Sequence, residues 1–238
     1  MLARYLAAEA RKLKRSLVAL LCIAAPCLVA LICLLIALHE KRAVSYDQIS
    51  STGAAFWAFA MLPMTVTALS VLMAQMEHGP RTWDYWLTLP GARPYLFLAK
   101  ALAMLALVAV MSLGLFGAMN AAVAIVERMH AMSGVFDRAE LASLLGRMML
   151  ASTLMCMIQL WVALRFRSFV PALVLGVGGT FVSVAAAAAR EGAYFPWLMP
   201  LHIVSTDPTM QRTALFAGGI GGLLTLGAMV VHLGRREM

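Results

Sequence analysis

Apolar residues in this chain do not alternate with polar ones. They come in runs of about 20, the length at which a helix spans the hydrocarbon layer of a bilayer, and short polar stretches separate the runs. Six runs stand out, at 16–38, 54–76, 95–123, 144–164, 169–189 and 213–233. The pattern predicts an all-α polytopic membrane protein with six transmembrane helices in a single domain, 1–238. The third run exceeds one crossing and must tilt or project beyond the membrane. Pro26 and Pro63 fall inside the first two runs, where a missing N–H is expected to kink each helix. Pro171, just after Ser168, sits instead where a helix start tolerates proline.

The stretch before the first run has a different period. Leu2, Tyr5, Leu6, Leu13 and Leu17 share one helical face, and Arg4, Arg11, Lys12, Lys14 and Arg15 fall on the other. That predicts a helix over 1–15 lying in the membrane interface, with its basic face toward anionic lipid headgroups. Glu9 breaks the pattern, near the middle of the apolar face. It pairs with Lys12 at i, i+3, or it contacts a partner protein. The first run is longer than a signal-peptide core and ends at His39-Glu40-Lys41 with no small-x-small site, so it reads as a retained span.

Two connecting segments are unusually aromatic. In 77–94, Gly79-Pro80 can open a short helix and Pro90-Gly91 can end it. Trp83, Trp86 and Leu87, spaced i, i+3, i+4, then share a face. They belong either in the headgroup layer or in a partner's pocket. In 190–212, Tyr194, Phe195, Pro196, Trp197 and Pro200 are too apolar for a solvated loop. An interfacial aromatic belt accounts for them.

Composition agrees. The chain is 63% hydrophobic and 13% charged, against about 45–50% and about 25% in soluble domains. Its net charge of +8 would suggest nucleic acid in a soluble protein, but the basic residues cluster at run ends, so no nucleic-acid partner is expected. With the N-terminus inside, 12 of the 19 Lys and Arg lie on the inner side, although the outer loops are longer. The positive-inside rule therefore puts both termini in the cytoplasm. Cys22, Cys27, Cys33 and Cys156 all lie within apolar runs and read as packing residues.

Within the spans, Thr65, Gln75, Asn120 and Gln159 are expected to hydrogen-bond between helices. No chain of Asp, Glu and His suggests a proton relay. Gly114-x-x-x-Ala118 and Gly218-x-x-x-Gly222 allow close helix approach, within one bundle or between subunits. His39-Glu40 is not completed as H-E-x-x-H, because position 43 is Ala43. No G-x-S-x-G elbow and no phosphate-binding G-x-x-x-x-G-K-[ST] loop occurs. The chain reads as neither enzyme nor ATP binder, and no metal or cofactor site is expected in it.

Glu77, Gly79, Thr82, Leu87, Pro90, Arg93 and Lys100, together with Glu9-x-x-Lys12-x-Lys14-Arg15-Ser16, resemble the ABC type 2 permeases, most closely the bacitracin-export and lantibiotic-immunity branch. The resemblance implies a bacterial inner-membrane permease of an ATP-driven exporter that moves an amphipathic or peptide-like molecule. ABC ATPase subunits would bind the ATP and Mg, and a second permease copy, identical or paralogous, would complete the path through the lipid bilayer. It casts 77–94 as a cytoplasmic coupling helix between spans two and three, with Trp83, Trp86 and Leu87 as anchors and Glu77, Arg81 and Arg93 as orienting charges. It casts 190–212 as a re-entrant outer segment. A non-transporting membrane scaffold or signalling anchor would explain the spans equally well.

Overall fold

A computed structural model describes residues 2–13, 16–40, 44–78, 93–130 and 132–235, with the backbone alone at Arg93 and Arg190. The helices are α1 (Leu2–Leu13), α2 (Leu17–His39), α3 (Tyr46–Phe56), α4 (Leu62–His78), α5 (Arg93–Met129), α6 (Arg138–Arg165), α7 (Val170–Ala186), α8 (Met199–His202) and α9 (Pro208–Gly234). A π-helical turn, Trp57–Met61, joins α3 to α4, so Tyr46–His78 runs as one rod. The chain is an all-α polytopic membrane protein. Five of the described helices are long and apolar enough to cross a bilayer; α7, apolar but 17 residues long, is shorter.

Local chemistry sets the helix starts. The Ser16, Ser45, Asp137 and Asp207 side chains accept the first N–H groups of α2, α3, α6 and α9, groups that have no partner within their own helix. Pro208 follows Asp207 at the first helical position, where its missing N–H costs nothing. Pro63 acts differently from the simple kink expected of it. Its ring cannot share a regular turn with the carbonyl four residues back, and the chain widens into the π turn just before it. There the Leu62 N–H reaches the Trp57 carbonyl. Pro26 stays inside a continuous α2, buried and facing Gly114 of α5.

Close approach explains the small residues. A Cβ on Gly218 would enter the Ala151 backbone, and one on Gly222 would lie 2.6 Å from Thr153 Cγ2, so both glycines seat α9 on α6. This small-residue pair packs one bundle. Gly176 likewise seats α7 against Thr67 of α4. The core lies among α2, α4, α5 and α6, while Leu20, Ile23, Phe181, Phe216 and Leu224 point outward. Apolar exposure on that scale suits lipid as the surrounding medium.

Of the four polar span residues, two bridge between elements. Gln159 Nε2 donates to the Ala172 carbonyl of α7 at 2.6 Å, and Gln75 Nε2 donates to the Arg167 carbonyl at 3.4 Å. Thr65 and Asn120 instead donate to carbonyls of their own helical rod, Met61 and Leu62 for Thr65 and Phe116 for Asn120. A short side chain reaches the carbonyl one turn back more readily than a neighbouring helix. At the far end from His78, Val44–Ser45 pairs in parallel with Met132–Ser133. Tyr46 Oη donates to Glu127 at 2.8 Å there.

Candidate functional site

Four charged side chains from three helices meet where α1 crosses the end of α4 and the first turns of α5. Glu9 and Lys12 come from α1, Glu77 from the last turn of α4 and Lys100 from two turns inside α5. Lys100 Nζ donates to Glu77 Oε1 at 2.9 Å and to both Glu9 oxygens at 3.2 Å. Lys12 Nζ donates to Glu77 Oε1 at 2.5 Å and to Glu9 Oε1 at 3.1 Å. Among the described residues two carboxylates and two ammoniums balance one another.

Lys100 and Glu77 are fully buried and Glu9 is 3% exposed. Only Lys12 reaches solvent, with its side chain 27% exposed. Burial pulls the Lys12 ammonium toward its neutral form, but its hydrogen bond to Glu77 and the charges of Glu9 and Glu77 prevail and hold its pKa above the usual 10.5. Charges this deep persist only when each is paired and hydrogen-bonded. The cluster therefore fixes the relative positions of α1, α4 and α5.

The i, i+3 contact between Glu9 and Lys12 forms, and Glu9 also spans 91 positions to reach Lys100. Its place in the middle of the apolar face of α1 follows from this, because that face packs on α5 and Lys100 meets it there. Glu77 and Glu9 are thus turned into the molecule. Lys100 is the residue whose importance sequence reasoning understated. Its signal was a lone ammonium inside an apolar helix, which demands carboxylates nearby.

Of the coupling segment, Gly79, Arg81, Thr82, Trp83, Trp86, Leu87 and Pro90 lie outside the described residues, and Arg93 opens α5 with its backbone. The cluster brackets this segment, with Glu77 just before it and Lys100 in the helix that follows.

The 190–212 segment folds as a 3₁₀ turn, Arg190–Tyr194, then α8. Its aromatic residues do not act alike. Tyr194 is exposed, Phe195 and Pro196 are half-buried, and Trp197 and Pro200 are buried. The Trp197 indole lies over Gly179 of α7, where a Cβ would come within 2.5 Å of the ring, and its centroid is 5.6 Å from that of Phe195. His202 Nε2 lies 3.1 Å from the Gly192 carbonyl and ties the segment together. Trp197 is therefore a packing residue of the bundle, and Tyr194 alone is placed as a belt residue would be.

Residues 5–183 match the family model described as ABC-2 family transporter protein. That stretch contains all four charged residues of the cluster. Comparison with curated proteins finds no match.

Proposed function

We propose, on the premise that the chain belongs to the ABC-2 family of transporter proteins, that this permease subunit works in an exporter and takes up the ATPase stroke through the Glu9–Lys12–Glu77–Lys100 cluster. As a permease subunit of an ABC transporter, it works with ABC ATPase subunits. The observation that carries the proposal is the placement of the buried cluster at both ends of the 79–92 segment and on α1.

The reasoning is mechanical. Separating Lys100 from its two carboxylates would strand a charge in an apolar interior, at several kcal/mol per ion. A push on the 79–92 segment therefore moves the end of α4, the start of α5 and α1 as one body. Trp83, Trp86 and Leu87 are the anchors in an ATPase pocket, Arg81 and Arg93 orient the contact at its rim, and Gly79, Thr82 and Pro90 belong to the same coupling contact. Glu9 and Glu77 transmit from within. The ATP and Mg sit in the ATPase subunits on the cytoplasmic side. A second permease copy completes the path, the 190–212 segment closes its outer end, and the cargo is an amphipathic or peptide-like molecule.

The test is purification of the tagged chain with its ATPase, wild type against Trp83→Ala/Trp86→Ala. The double variant is expected to insert normally and lose the ATPase. Unchanged association would overturn the anchor assignment. Absence of any ATPase from the wild-type preparation would favour the scaffold reading.

A further inference from the structure

A cavity of about 340 Å³ opens at the opposite end of the bundle, where α3 and α6 begin and the α8–α9 link passes. Among the described residues Arg147 is the only basic one lining it, with Asp47, Asp137 and Glu140 as the acids. Arg147 sits well inside the helix Arg138–Arg165, yet no ion pair among the described residues involves it. Its Nη1 donates to Gln211 Oε1 at 3.3 Å, and its Nε is buried with no hydrogen-bond partner. Gln211 is itself held by donation to the Ser205 carbonyl at 2.6 Å. A guanidinium has five N–H donors and no acceptor. A buried donor of a charged group left without an acceptor costs more than a neutral one does. Charges placed this way in membrane helices mark pathways and binding sites.

The acids stand differently. Asp137 Oδ1 caps α6 by accepting from Ala139 and Glu140. Asp47 and Glu140 are exposed at the cavity, and neither joins an ion pair among the described residues. The cavity thus has a cationic wall and anionic flanks. A simple anion is disfavoured by the three acids, and a simple cation leaves the Arg147 guanidinium without an oxyanion. A group that carries both signs satisfies both.

We propose that this cavity binds a zwitterionic ammonium–oxyanion group with the chemistry of phosphoethanolamine. The oxyanion accepts from the Arg147 guanidinium, and the primary ammonium donates to Asp47 and Glu140. The group comes from an ethanolamine phospholipid at the membrane surface or from the same moiety free in solution. The proposal does not depend on coupling to an ATPase.

The test uses the purified full chain in two arms. In nanodiscs containing equal parts of ethanolamine, choline and glycerol phospholipids, the lipids retained after mild delipidation are read by mass spectrometry. In detergent, soluble phosphoethanolamine is titrated against thermal unfolding. Retention of the ethanolamine lipid is expected to exceed that of the other two by about tenfold or more, the worth of one or two charge-assisted hydrogen bonds. A quaternary choline cannot donate to the acids, and a glycerol phospholipid brings no cation. Arg147→Gln should abolish the preference. Asp47→Asn/Glu140→Gln should instead turn it toward the anionic glycerol lipid, a reversal that a merely structural role cannot produce. A response to soluble phosphoethanolamine identifies a free ligand as the source, and retention of the lipid alone identifies the headgroup. Equal retention of all three lipids with no response to phosphoethanolamine overturns the proposal. So does an unchanged preference in the rim variant, which decides the matter if Arg147→Gln fails to fold.

Discussion

Replacing Lys100 by Met is the sharpest probe of the buried cluster. The substitution nearly preserves side-chain volume and removes three charge-assisted contacts, at 2.9, 3.2 and 3.2 Å. Among the described residues this leaves Lys12 facing two buried carboxylates, with one positive charge fewer than before. Stripping one partner from a buried ion pair costs about 3–5 kcal/mol, because the charge left behind is no longer fully compensated and cannot reach water. Lys12→Met should cost much less, about 1 kcal/mol, since its 27% exposed side chain lets water take over part of its role. Adding Glu9→Gln to Lys100→Met restores the balance of charge and should recover a good part of the loss. Unfolding in mixed micelles of increasing SDS fraction, followed by tryptophan fluorescence, gives the three values on one scale. The reasoning fails if Lys100→Met proves no worse than Lys12→Met, or if the added Glu9→Gln deepens the loss.

Other perturbations test separate links. Because the Lys12 pKa is raised in the folded chain, its contribution is complete below the unfolded value near 10.5 and is lost as pH rises through the higher folded value. Hydrogen exchange in α1 should therefore be flat with pH, after correction for intrinsic rates, up to about pH 10 and accelerate above it; a loss of protection between pH 7 and 9 would contradict this. Gly218→Ala drives a Cβ into the Ala151 backbone and should destabilise by about 1–3 kcal/mol. Gly219→Ala, which meets nothing within 4 Å, should be neutral or stabilising by up to about 1 kcal/mol; equal effects in the SDS titration would remove the close-packing argument for α9 and α6. Deleting Ala60 takes out the extra residue of the π turn Trp57–Met61 and should leave insertion and ATPase association intact. A variant that fails to insert would contradict the reading of this turn as a local accommodation of Pro63.

What the sequence determined by itself is what depends on local composition and period. Lipid-length apolar runs dictate helices, because in hydrocarbon each backbone N–H must be satisfied within its own segment. The run 213–233 lies within Pro208–Gly234 and the run 144–164 within Arg138–Arg165. The ends extend beyond the runs because Asp207 and Asp137 cap polar first turns that hydropathy does not register. Glu9 is conspicuous as a single residue, a charge on an apolar face, whereas Glu77 and Lys100 are picked out through the family resemblance. Which charge met which was decided only by the tertiary structure. Glu9 and Lys100 are 91 positions apart, and no period or spacing encodes a contact of that range. The same holds for Arg147, which in the sequence is one more arginine near the start of the run 144–164. Only the packing of α3, α6 and α9 leaves its Nε buried without a partner. Helix formation answers to neighbours within a turn, whereas the pairing of buried charges answers to whichever helices the small residues allow to touch.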